Sequence, residues 1–202
     1  MNDIFKLSDP WVMEIGGYPL GWDWWSRYYE YPWALKFAHP SAVVADMGCG
    51  YMQRPFKDAL AQVCKYVYAV DVGAELLAQE PHDNMQFVVA DFTQRIEAIP
   101  DGGLDVVFCI SVLEELGSAL GDALKEFCRC LRPGGLCVIT CDIRFDPKKP
   151  IGPFGAVDLE QLELAIKLSG LEARDRFNYN LANALYHVTF NLCVFRCVLV
   201  KP

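Results

Sequence analysis

Val43-Val44-Ala45-Asp46-Met47-Gly48-Cys49-Gly50 is the stretch that decides the fold. A β-branched apolar run ends in an acid and a G-x-G turn, and glycines there let the backbone approach a ligand closely. In open α/β sheets that turn lies at the crevice beyond the carboxyl ends of the strands. Working outward, residues 42–47, 66–70, 85–90, 104–110 and 135–141 are short apolar runs that suit strands covered by helices on both faces. Between them, residues 55–64, 74–79 and 119–131 read as helices. Pro55 takes a first helical position, where its missing N–H is not needed, and Pro133-Gly134-Gly135 breaks the third helix. Strand-helix alternation of this kind implies right-handed βαβ units and a parallel sheet.

The last third carries a helix over residues 159–169 ended by Gly170, then a strand from Leu171 and a long one over 187–200. In that long run Val188, Phe190, Leu192, Val194 and Arg196 share one face if it is a single strand. The sheet is then expected to end in a hairpin at this edge.

At 202 residues with 53% hydrophobic content, the chain can bury a large core, so disorder is excluded. No apolar stretch is long enough to span a membrane, and the start lacks the pattern of a signal peptide; the expectation is a cytoplasmic protein with no membrane partner. A net charge of −8 and the lack of any Lys/Arg run argue against nucleic acid and for a small-molecule substrate ahead of a protein one. The nine cysteines are odd in number and form no C-x-x-C pair. They read as reduced core thiols, with no metal site.

Four further segments join the glycine turn. The second strand ends in Asp71, followed by Val72, and the third in Asp91-Phe92. The fourth follows Ile99-Pro100-Asp101-Gly102-Gly103, and the fifth follows Leu131-Arg132-Pro133-Gly134-Gly135. Together these resemble the class I S-adenosyl-L-methionine (SAM)-dependent methyltransferases, of the type 11/12-like group, over residues 41–141. The resemblance implies an α/β, doubly wound, mostly parallel seven-stranded sheet with an antiparallel edge hairpin, the Rossmann-like SAM methyltransferase fold. It implies SAM as cofactor, with Asp46, Gly48 and Gly50, and Cys49 between them, at the methionine part. Asp71 belongs to the ribose and Asp91 with Phe92 to the adenine, while Val72 and Ser111 complete the cofactor-binding set, Ser111 also as a pocket wall.

Two positions depart from the family pattern: Met52 replaces the usual third loop glycine, and Glu114-Glu115 stands where many relatives carry Glu-His. No residue is singled out as catalytic, although Glu114, Glu115, Asp142 and Tyr29 belong near the acceptor. An NAD(P)-dependent oxidoreductase would want glycine at position 53, where Gln53 stands. The functional expectation is a SAM-dependent methyltransferase for an unidentified acceptor, the alternative a SAM-binding module without catalysis.

Residues 1–40 form an aromatic N-terminal helical cap ahead of a 41–202 methyltransferase domain on this reading. All five tryptophans, Trp11, Trp22, Trp24, Trp25 and Trp33, fall within it. Rings at that density are expected to leave water. Residues 18–36 then make either a helical lid, with Tyr29, Tyr31 or Arg27 reaching the methionine end of the cofactor, or a cover for an outer face of the sheet or a dimer contact.

Overall fold

A computed structural model describes residues 2–50 and 55–202. Its strands of three or more residues are β1 (Asn2–Ile4), β2 (Val43–Met47), β3 (Tyr66–Asp71), β4 (Met85–Val89), β5 (Leu104–Ile110), β6 (Leu131–Arg144) and β7 (Leu192–Val200). Its α-helices are α1 (Arg27–Ala34), α2 (Pro55–Val63), α3 (Leu120–Cys130) and α4 (Leu159–Ser169). The sheet runs β1-β7-β6-β5-β2-β3-β4. Strands β2 to β6 pair in parallel, while β7 is antiparallel to β6 and β1 antiparallel to β7.

Alternate side chains of each strand feed two cores, as strands buried on both faces must. From β7, Cys193, Phe195, Cys197 and Leu199 join the core under α3 and α4. Val194 and Val198 join the other, where Trp33 of α1 and Phe56 and Leu60 of α2 pack. Seven of the nine cysteines are buried and two are partly so; none is disulfide-bonded. Among the described residues, no helix is long and apolar enough to cross a membrane.

The long strand expected over 187–200 is shorter. Asn191 takes a left-handed φ of 55°, and its side-chain amide accepts from the Asp146 N–H while donating to the Asp146 and Lys149 carbonyls. Regular pairing with β6 therefore starts only at Leu192. Val188 is consequently left 77% exposed, off the face it would share in a single strand.

The antiparallel edge is present, but its outer positions are filled from the far end of the chain. Residues 172–173 and 177–178 contribute only two-residue strands, and β1 lies between β7 and Phe177–Asn178. Arg196 on β7 pins this strand. Its guanidinium pairs with Asp3 at 2.7 Å and Asp9 at 3.2 Å, and it lies 4.3 Å over the Phe5 ring.

Candidate active site

The glycine turn closes β2 against the ends of its neighbours. Gly48 and Gly50 have φ of 78° and 72°, values that a side chain would strain. The N–H groups of Gly48 and Cys49 both donate to the Val70 carbonyl, at 2.8 and 3.1 Å. A Cβ on Gly48 would come within 2.5 Å of Val112, so the turn packs tightly on the segment that leaves β5.

At the end of β3, Asp71 accepts from the Gly50 N–H at 2.9 Å and the Gly73 N–H at 3.0 Å, one bond on each oxygen. Each oxygen keeps acceptor capacity for a hydroxyl. Val72 beside it is 66% exposed. Asp46 is buried, and burial pushes its carboxyl up to about 7, Lys57 pulling the other way and Asp71 adding to the rise. Lys57 itself is wholly buried on α2, where its Nζ donates to the Gly50 carbonyl at 3.1 Å.

Facing this turn across residues 111–115 is α1. Its Glu30 is wholly buried and accepts from Ser111 Oγ at 2.6 Å and Thr140 Oγ1 at 2.5 Å, while its other oxygen pairs with Arg27 at 2.5 Å. Burial alone would raise its pKa; Arg27 and the two hydroxyls outweigh that and hold the carboxyl below its usual range. Ser111, with a left-handed φ of 48°, is the strained end of β5 that receives this latch.

Between α1 and the 111–115 turn lies a cavity of about 310 Å³. Trp24, Trp25 and Arg27 line one side of it, and Ser111, Glu114, Glu115 and Asp142 the other. Phe154 and Phe190 complete the wall, and Gly155 lets the Phe154 loop in, since a Cβ there would meet the Glu114 carbonyl at 2.1 Å. Burial first, then Asp142, keeps the Glu114 carboxyl well above the ordinary range. Asp142 is pushed up to about 7 by burial and by Glu30 and Glu115, against Arg27. Buried Glu114 Oε2 and Asp142 Oδ1 find no hydrogen-bond partner among the described residues.

Residues 45–139 match the family model described as a methyltransferase domain. These residues form a class I SAM-dependent methyltransferase domain. Three solved structures share the fold. A SAM-dependent methyltransferase from Mesorhizobium loti is 15% identical with a TM-score of 0.67, over 90% of this chain and 100% of its own. One from Aquifex aeolicus is 19% identical with a TM-score of 0.62, over 87% and 93%. The [4+2]-cyclase SpnF is 17% identical with a TM-score of 0.70, over 96% and 88%. No curated protein matches the chain in sequence.

Within this methyltransferase domain, Asp46, Gly48, Cys49, Gly50, Asp71 and Val72 sit together around the ends of β2 and β3. Ser111 lies on the cavity side of the same crevice. Asp91 is exposed and caps its own turn, accepting from Thr93 N at 2.9 Å and Thr93 Oγ1 at 2.7 Å. The Phe92 ring is turned into the core against Phe127, centroids 5.5 Å apart. Met52 and Gln53 lie outside the described residues.

Tyr29 packs on the sheet-face core and is absent from the cavity lining. Tyr31 stacks on Phe56 at 4.9 Å. Helix begins only at Arg27, and residues 18–19 belong to a small hairpin with 14–15. The aromatic segment leaves water only in part: Trp33 is buried and Trp24 and Trp25 partly so, but Trp22 is 91% exposed. Glu30, Thr140 and Lys57 carry weight in this site and were not read from the sequence. The one available signal for the first was an acid inside the aromatic run RYYEYPWAL.

Proposed function

We propose that this chain transfers the methyl group of SAM to a small-molecule acceptor held in the cavity beside Ser111. One observation carries the reading: neighbouring residues serve both compartments, Val112 packing against Gly48 of the glycine turn while Ser111 lines the cavity. Asp46, Gly48, Cys49 and Gly50 would hold the methionine part, Asp71 and Val72 the ribose, and the Asp91-Phe92 corner the adenine. The donor set fits such a ligand: Asp71 retains acceptor capacity for hydroxyls, and the buried acid Asp46 suits a cationic neighbour, which would draw it into its ionised form.

When bound, SAM supplies an electrophilic methyl on a sulfonium, a leaving group that needs no further activation. The protein's part is then to hold the acceptor in line and exclude water, which α1, the two aromatic walls and the Phe154 loop support. The acidic molecule as a whole favours neither polyanions nor anionic surfaces as substrates.

A second reading has its own observation. The [4+2]-cyclase SpnF aligns over 96% of this chain, so this fold also carries other reactions, and a SAM-binding role without methyl transfer is the competing proposal. Titration calorimetry should show SAM and S-adenosylhomocysteine binding one-to-one, and no binding of NAD or NADP. Saturable NAD binding without a SAM signal defeats both readings. SAM binding without S-adenosylhomocysteine release on any acceptor panel favours the second.

A further inference from the structure

We propose that the cavity recognises its acceptor as a cationic amine, the nitrogen set between Glu114 and Asp142 and the attached carbons against Trp24, Trp25 and Phe154. That the bound molecule is a methyl acceptor rests on the function proposed above; the preference for an amine rests on the cavity alone.

Among the described residues, four acids line the space, Asp23, Glu114, Glu115 and Asp142, against a single cation, Arg27. That cation is already engaged at 2.5 Å by Glu30, behind the wall. The Arg27–Glu30 pair cancels, and the remaining lining is acidic. His187 stands back from the cavity, stacked on Phe190 at 4.1 Å and edge-on to Trp25.

The second observation is the pair of unpartnered oxygens. Asp142 is only 9% exposed, its Oδ1 has no hydrogen-bond partner among the described residues, and the same holds for Glu114 Oε2. Buried acceptors without donors are costly to a folded protein unless a ligand supplies the donors. An ammonium brings three donors and a positive charge at one atom. A hydroxyl would satisfy one oxygen and bring no positive charge to draw the two buried acids into their ionised forms, as an ammonium would, and a carboxylate or phosphate would be repelled. The indole and phenyl rings present faces that attract a cation. A metal ion is the weaker occupant, since the described residues contain no group of three His, Cys, Asp or Glu side chains placed to hold one.

The test titrates ethylamine, benzylamine and tryptamine, each beside the alcohol and carboxylate of matching skeleton, into the protein alone and into the protein saturated with S-adenosylhomocysteine. At pH 8 at least one amine should bind tenfold or more tighter than both counterparts. The preference should shrink at pH 6, because Asp142, pushed up to about 7 by burial, then takes up a proton among Glu30, Glu114, Glu115 and Arg27. In Glu114→Gln/Asp142→Asn the preference should fall to within threefold, with the circular dichroism of the folded protein retained. The single variants repeat the measurement if the double one does not fold.

The proposal is overturned if no amine saturates, if an alcohol or acid binds as tightly, or if the folded double variant keeps the preference. Failure of S-adenosylhomocysteine to bind while the amine preference persists would remove the methyltransferase reading and leave this one standing. Cofactor binding without amine preference does the reverse.

Discussion

The glycine turn and helix α1 press on the same segment, residues 111–115, from two sides and by different physics. The turn is held by backbone: left-handed glycines, two N–H groups on one carbonyl, and a close approach to Val112. The helix is held by a buried charge, with Glu30 satisfied through Arg27, Ser111 and Thr140. A backbone device tolerates few substitutions but depends little on pH or salt. A buried ionic latch fails abruptly when one partner is lost, because the other charge stays behind.

The largest effect should follow from cutting the latch. Glu30→Ala leaves Arg27 without its counter-ion and is expected to cost about 3–5 kcal/mol in denaturant unfolding. Arg27→Met/Glu30→Leu should recover most of that loss, and no recovery would mean that geometry, not charge, holds α1. Next, Gly48→Ala forces an L-residue into φ 78° against Val112, and about 2–4 kcal/mol of stability should go. Adding Val112→Ala should return part of it.

Asp71→Ala should weaken SAM binding by about 1.5–3 kcal/mol in calorimetry, the range for charge-assisted hydrogen bonds. Unchanged affinity would move the ribose acid elsewhere. The smallest effect concerns Asp142, whose folded pKa of about 7 lies above its ordinary 3.8. Its contribution to stability is full below 3.8 and is lost as pH rises towards 7, since the native carboxyl holds a proton that the unfolded chain has released. Asp142→Asn should therefore gain about 1–2 kcal/mol over the parent between pH 4 and pH 8, less than the full linkage value because water and relaxation around the cavity absorb the rest. A gap that stays constant across that range would place Asp142 in solvent.

The same contrast explains what could be read in the sequence. Asp46, Gly48, Gly50 and Asp71 are bound to local geometry: each sits at the end of an apolar run, and a strand-turn-helix unit fixes its place from neighbours in the chain. Helix 159–169 was legible for the same reason, with Asp158 capping Gln161 and Gly170 at a φ of 85°. Glu30 and Thr140 meet across 110 positions, and no periodicity announces such a contact. Lys57 sits in a helix whose residues from Pro55 to Ala61 are all buried, so its enclosure comes from the fold and not from any pattern in the sequence. Phe92 follows a strand-ending acid, which says where the backbone goes but not which way the ring turns. The antiparallel edge was legible, but the place of β1 in it was not: β1 is three residues long, too short for its pattern to show, and it is secured by Arg196 from far along the chain.

That last pairing orders the protein's assembly in time. Asp3 and Arg196 are separated by 193 positions, so β1 is made well before β7 and must wait for it. The parallel strands β2 to β5 and their glycine turn can associate during synthesis, since their partners are close in sequence. β1 can take its place only when β7 has closed the edge. A chain made only as far as β5 could thus own the glycine-turn crevice before its edge exists, and the arrival of β7 is the event that lets β1 join the sheet.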